Sequence, residues 1–188
     1  MDPSGSTSSF VSQARHALEE GRLSDAGAAI DAMLQREPGD ATAWLFRGVL
    51  ELQRSDPASA AAAFERAERL GADRRRSRLG AGMAALELGE AERAWTIFDA
   101  VAREHGDDAE TMHWLLCAGT ALGRWAELAE RLEGFVTRHP DAHAIRFALG
   151  AVCLRLGDAD RARRHHEVLR DRCPGFDGLE DLGRALAG

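Results

Sequence analysis

The sequence predicts an all-α fold, an α-solenoid built from antiparallel helix pairs. Three observations predict it: small and large apolar positions that return every 34 residues, a glycine between two helix-length segments in nearly every period, and proline where a second segment should stop. A helical hairpin of this length cannot bury its own apolar face, so its stability must come from neighbours of similar shape.

Taken in order, residues 1–8 are rich in Ser and Gly, lack periodic apolar residues and are expected to form a disordered N-terminal tail. Five repeats then fill 9–174, at about 7–40, 41–74, 75–108, 109–142 and 143–176, without insertions. Their helices are expected near 9–20, 24–36, 41–53, 57–70, 75–88, 91–104, 109–122, 125–138, 143–156 and 159–171. In four of the five first helices a small residue recurs, as Ala14, Gly48, Gly82 and Gly150. It faces a second small residue on the second helix, at Ala26, Ala60, Ala94 and Ala162, so the pair approaches closely. Four residues on, Ile30, Phe64, Phe98 and Leu132 fill the space beside that contact. The turn glycine returns as Gly21, Gly89, Gly123 and Gly157, where a helix end needs φ > 0; Ser55 is the exception. Asp56 followed by Pro57 reads as an N-cap and first-turn proline, and Pro38, Pro140 and Pro174 stop second helices. The fourth repeat sets Leu116, Leu128 and Phe135 where small residues are expected, which predicts a wider helix crossing. Finally FDGLEDLGRALAG puts Phe176, Leu179, Leu182 and Leu186 on one face, a capping helix at 176–187.

Composition narrows the function. All basic residues are Arg, and Lys, Asn and Tyr are absent, which reads as the codon bias of a GC-rich bacterial genome. Without Lys there is no Schiff-base enzyme and no Lys-dependent phosphate loop. A net charge of -7 opposes general binding to nucleic acid or anionic membrane. Cys117, Cys153 and Cys173 are widely spaced and odd in number, as expected for reduced thiols in a cytoplasmic protein. No signal peptide and no apolar run of roughly 18 residues, the length that spans a bilayer, is visible.

The spacing of Trp44, Gly48, Ala60 and Phe64 resembles the tetratricopeptide repeat family, whose pattern is W-x2-L-G-x2-Y…A-x3-F…P. The resemblance covers residues 7–174, with Arg78 and Arg146 in place of the first large residue, His166 in place of the later one, and no Tyr. It implies a right-handed superhelix whose concave surface is lined by the first helices. The second, fifth, ninth, twelfth and thirteenth residues of each repeat then face the groove. Those positions give a peptide-binding groove of Val11, Arg15, Leu18, Leu45, Val49, Leu52, Arg76, Leu79, Met83, Leu86, His113, Cys117, Phe147 and Leu154. The stripe is apolar, and three readings of it stay open: ordinary core between neighbouring repeats, a groove for an amphipathic helix or extended apolar peptide, or a surface for self-association. The clamp by which some family members hold chaperone C-terminal carboxylates uses Lys and Asn. Here Val11, Arg15 and Phe46 stand at three of its positions, so an EEVD-type ligand is not expected. Polar base-reading positions of the RNA-binding relatives are likewise replaced by Leu and Val.

Three smaller groups carry potential chemistry. Glu110, His113 and Cys117 share one helical face and are metal-ligand types, but a fourth ligand is not evident and no metal or cofactor is expected. Arg74, Arg75, Arg76 and Arg78 form a basic cluster that either anchors an acidic peptide flank or is a solvated helix start. His165 and His166 are neighbours pointing about 100° apart on a helix, hence not a chelating pair. No H-E-x-x-H, G-x-S-x-G or glycine-rich phosphate loop occurs, so no catalytic residues are assigned. The expectation is a non-enzymatic protein–protein interaction module, adaptor or chaperone-like, that binds a hydrophobic or amphipathic segment of a client protein. The alternatives are a self-assembling scaffold, hence a homo-oligomer, or the interaction domain of a longer enzyme.

Overall fold

The computed structural model describes residues 3–105 and 108–187, and among them there are eleven α-helices and no strand. These are α1 (Pro3–Glu19), α2 (Leu23–Arg36), α3 (Ala41–Gln53), α4 (Pro57–Arg69), α5 (Arg74–Glu87), α6 (Ala91–His105), α7 (Ala109–Leu122), α8 (Trp125–Arg138), α9 (His143–Arg155), α10 (Ala159–Arg172) and α11 (Leu179–Ala187). No helix among the described residues is long and apolar enough to cross a membrane.

Helix ends follow from short-range chemistry. Asp40, Asp56, Asp73, Asp108 and Asp158 each accept a hydrogen bond from a backbone N–H of the first turn they precede. Only Asp56 is legible as a cap through its proline; the others recur at repeat boundaries and at the turn before α10. At the end of each first helix the chain reverses through one residue in the left-handed region: Gly21, Ser55, Gly89, Gly123 and Gly157, with φ between 59° and 78°. The residue after each donates back to the carbonyl five positions earlier, as Arg22 N does to Ala17 O at 2.8 Å and Asp56 N to Glu51 O at 2.9 Å. Ser55 therefore adopts the glycine conformation without being glycine.

Two boundaries differ from expectation. α1 begins at Pro3, so residues 3–8 of the expected disordered tail are helical; Met1 and Asp2 lie outside the described residues. Once the amphipathic part of α1 is nucleated by packing, adding a turn costs little, and a proline fits the first turn. At the other end, the capping helix starts at Leu179, not at residue 176. Pro174, Gly175 and Gly178, the last with φ +87°, keep the chain in a turn there. Phe176 packs from that turn onto Phe147, ring centroids 5.5 Å apart.

The chain divides into two compact units, Met1–Val101 and Ala102–Gly188. In the first, the core is organised around Phe64 of α4, which is 2% exposed. A Cβ added to Gly48 of α3 would stand 2.6 Å from its ring, and one added to Gly80 of α5 only 2.3 Å away. Two glycines on different helices thus form the socket for one phenylalanine. Gly82 receives Phe98 in the same manner, at 2.4 Å. In the second unit, Leu169, Leu179 and Leu182 form a core to which Phe147, Leu154, Phe176 and Leu186 add. Leu128 and Phe135 are fully buried, and α7 and α8 touch over less of their length than α9 and α10 do, as the bulk of these residues requires.

Candidate functional site

In the first unit, the inner stripe separates into core and surface. Leu18, Leu45 and Leu79 are 6%, 9% and 4% exposed, so these three serve mainly to hold neighbouring repeats together. Val11 packs on the core that α1, α2 and α3 share, Val49 bridges that core and the next, and Leu52 packs on the core of α3, α4 and α5. All three remain half-buried, as do Met83 and Leu86 on α5. Arg15 and Arg76 are exposed on the same helices. Because α3 and α5 are in contact, Val49, Leu52, Met83 and Leu86 are carried by two adjoining helices.

The basic cluster beside this stripe is largely engaged within the unit. Glu68 of α4 takes Arg78 Nε at 3.0 Å and Arg74 Nε at 3.5 Å, a link between α4 and α5. Arg78 therefore replaces the large aromatic expected at its position with an ion pair. Trp44, which keeps that aromatic, donates from Nε1 to Pro38 O at 2.9 Å.

In the second unit the stripe has a different fate. Phe147 and Leu154 pack on the core of α10 and α11, to which Phe176 and Leu186 also add, and both remain half-buried. His113 is exposed, with Nε2 3.8 Å from Cys117 Sγ and its ring edge-on to Trp114. Burial pushes the Cys117 thiol up, away from thiolate character, and the same holds for Cys153. Among the described residues no group of three His, Cys, Asp or Glu side chains is placed to hold a metal ion.

This unit also carries a depression of about 240 Å³ between α7, the start of α8, and α9. Leu116, Ala148, Ala151 and Val152 line it, with Thr120, Trp125 and Arg155 around them. The guanidinium of Arg155 lies over the Trp125 ring, 5.9 Å from its centroid. Sequence reasoning missed this place because it passed over the groove positions held by Thr120, Ala151 and Arg155. Thr120, Ala151 and Arg155 occupy the twelfth, ninth and thirteenth positions of their repeats, while Trp125 is contributed by a second helix.

On α10, the adjacent histidines sort as their angular separation requires. His165 is buried and His166 half-buried. Glu133 of α8 receives Arg161 through Nε at 2.9 Å and Nη2 at 2.7 Å. His165 Nε2 stands 3.3 Å from the same carboxylate, too poorly aligned to hydrogen-bond. Arg146, 8% exposed, donates to Val136 O at 3.2 Å and Pro140 O at 3.4 Å. It thus reaches the proline carbonyl that corresponds to the one Trp44 uses. Burial holds the His165 imidazole below the usual histidine range, Glu133 opposing and Arg146 assisting.

Comparison with known proteins places this architecture. No curated protein sequence matches the chain. Among solved structures, PilF of Pseudomonas aeruginosa superposes with a TM-score of 0.79 at 14% identity, covering 98% of this chain and 84% of that one. YrrB, described as a TPR protein with an unusual peptide-binding site, gives 0.74 at 16% identity over 93% of this chain and 90% of that one. MamA from Desulfovibrio magneticus RS-1 gives 0.74 at 17% identity, over 96% of each chain. These likenesses show the fold, an all-α solenoid. The family model described as tetratricopeptide repeat matches residues 11–75, 50–109 and 121–175. That is well over half of the sequence, and it falls on the helix pairs whose glycine sockets and left-handed turns the repeat pattern demands, so the chain belongs to the tetratricopeptide repeat family.

Proposed function

We propose that the protein is a non-enzymatic interaction module that binds a hydrophobic or amphipathic segment of a client protein on the inner stripe of its first helices, as an adaptor or chaperone-like factor. The observation that carries this reading is the residue left over after packing. With Leu18, Leu45 and Leu79 spent on the core, Val49, Leu52, Met83 and Leu86 stay only partly buried on the adjoining helices α3 and α5. An apolar face of i, i+3, i+4 and i+7 anchors on a client helix suits such a surface, and methionine adapts to varied partners. YrrB, of the same fold, is described as having a peptide-binding site. Cys117, Cys153 and Cys173 are all free, in keeping with a cytoplasmic location.

The test is selection of binders from a phage-displayed random 12-residue library, followed by titration of the selected peptides against Leu52→Asp, Met83→Asp and Leu86→Asp combined. Asp at Leu45 or Leu79 would be uninformative, because these are core positions. Circular dichroism first establishes that the triple variant is folded. At least a tenfold loss of affinity is expected, since each charge must be desolvated against an apolar partner. Undiminished binding by every selected peptide, or a library that yields none, would refute the reading.

A further inference from the structure

We infer that the depression between α7, α8 and α9 is an anchor site for one bulky apolar side chain of a peptide that carries an acidic side chain close by, the carboxylate being met by Arg155. This deepens the proposed function and rests on it. Its volume, about 240 Å³, falls below the roughly 300–1,000 Å³ of pockets that enclose a small molecule, and is right for a single side chain. The walls are aliphatic except at the rim, where Trp125 and Arg155 stack. Trp and Arg are the residue types that dominate binding hot spots, and the ring fixes the guanidinium so that less freedom is lost on binding.

Charge complementarity decides the partner's chemistry. Other arginines of this unit have carboxylates of their own chain: Arg124 has Glu127, Arg161 has Glu133, and Arg163 has Asp160. Among the described residues Arg155 lines the depression, is exposed, and makes a contact with the Trp125 ring and no ion pair, so its guanidinium is available to a carboxylate there. On a chain of net charge -7, an acidic peptide needs such a local cation to approach at all. A single guanidinium beside one threonine hydroxyl offers too few donors to capture a terminal carboxylate, which is normally held by several. The ligand is therefore an internal Asp or Glu side chain flanking Leu, Met or Phe.

The library selection decides this, because peptides displayed with a blocked C-terminus present only side-chain carboxylates. Selected sequences are expected to pair a bulky apolar residue with Asp or Glu within a few positions. The consensus peptide is then synthesised with free and amidated C-termini and titrated by fluorescence anisotropy. Both forms should bind within twofold of each other, and replacing its acidic residue by the amide should weaken binding about tenfold. Ala151→Trp, which fills the depression from an exposed position, should abolish binding. Arg155→Glu should reverse the preference, so that a Lys-bearing peptide binds this variant better than the acidic one. Peptides lost on the α3–α5 triple variant but indifferent to Ala151→Trp and Arg155→Glu would overturn this inference and leave the proposed function standing. Dependence on the free C-terminus would also overturn it. A library with no binders would overturn both.

Discussion

The two units obey one repeat template and solve its packing problem with opposite chemistry. In Met1–Val101 the contact between helices is an aromatic ring in a glycine socket, Phe64 between Gly48 and Gly80. In the last repeat of Ala102–Gly188, His166 stands at the position of Phe64 and Arg146 at that of Trp44, with Arg161 and His165 on the same second helix as His166, and the carboxylate of Glu133 balances part of that charge. The repeat therefore specifies shape and spacing more strictly than polarity. An arginine is admitted where an aromatic is expected provided it reaches the same carbonyl, as Arg146 does at Pro140 O, or a neighbouring carboxylate, as Arg78 does at Glu68. The cost is that buried polar atoms go unpaired: Arg146 Nε and His165 Nε2 have no hydrogen-bond partner among the described residues.

The sharpest way to break this contrast is Phe64→Ala. It should cost about 3–5 kcal/mol and raise amide exchange in α3, α4 and α5, because the emptied socket is lined by two rigid helices. Exchange in α9 and α10 should be little changed, and mass-spectrometric hydrogen exchange resolves the two regions. Gly80→Ala attacks the same contact from the other side. Its Cβ would meet the Phe64 ring at 2.3 Å, and the overpacking should cost about 1–3 kcal/mol by denaturant titration.

A smaller effect belongs to the second unit alone. Burial depresses the His165 pKa in the folded chain, so the unfolded chain takes up the proton first. Stability from this group is present above the ordinary histidine value of about 6.5 and is lost as pH falls from there towards the folded value. Exchange in α9 and α10 should rise on mild acidification while α3 to α5 hold, and His165→Leu should remove the response. The first unit's Asp56 has its pKa lowered too, but chiefly by hydrogen bonding to Ser59, which favours the charged form, and from an ordinary value of 3.8. Its contribution survives mild acid and is lost only as pH falls below that range. Smallest is Ser55→Gly, which should stabilise the α3–α4 turn by about 1 kcal/mol, by relieving a left-handed residue that carries a Cβ. A thermal melt shifted upward checks it.

Much of the fold was legible because the repeat writes its backbone needs into residue type. Glycine marked four of the five left-handed turns between paired helices, and the interval between Gly48 and Gly82 carried the register. The Phe64 socket was half legible: Gly48 belongs to the period, but Gly80 does not, and only the approach of α5 reveals its purpose. The inner stripe was legible as a set of positions and not as a set of roles. Periodicity places Leu45 and Val49 on the same face equally well, yet neighbours in space bury the first and leave the second half exposed. Phe147 and Leu154 carry the same lesson, since these groove positions by number also pack on the core that α11 helps to form. Arg155 and Trp125 escaped because their meeting depends on how α8 starts against α9, which no linear spacing encodes.

The central claim is that clients bind along the first helices. The most direct measurement is hydrogen exchange of the full chain, free and saturated with the selected consensus peptide. The account expects new protection in first helices, in α3 and α5 for a peptide lost on the α3–α5 triple variant and in α7 and α9 for one lost on Ala151→Trp, with α4, α8 and α10 unchanged beyond the turn that carries Trp125. Protection confined to the second helices, or to the turn before α11, would contradict it.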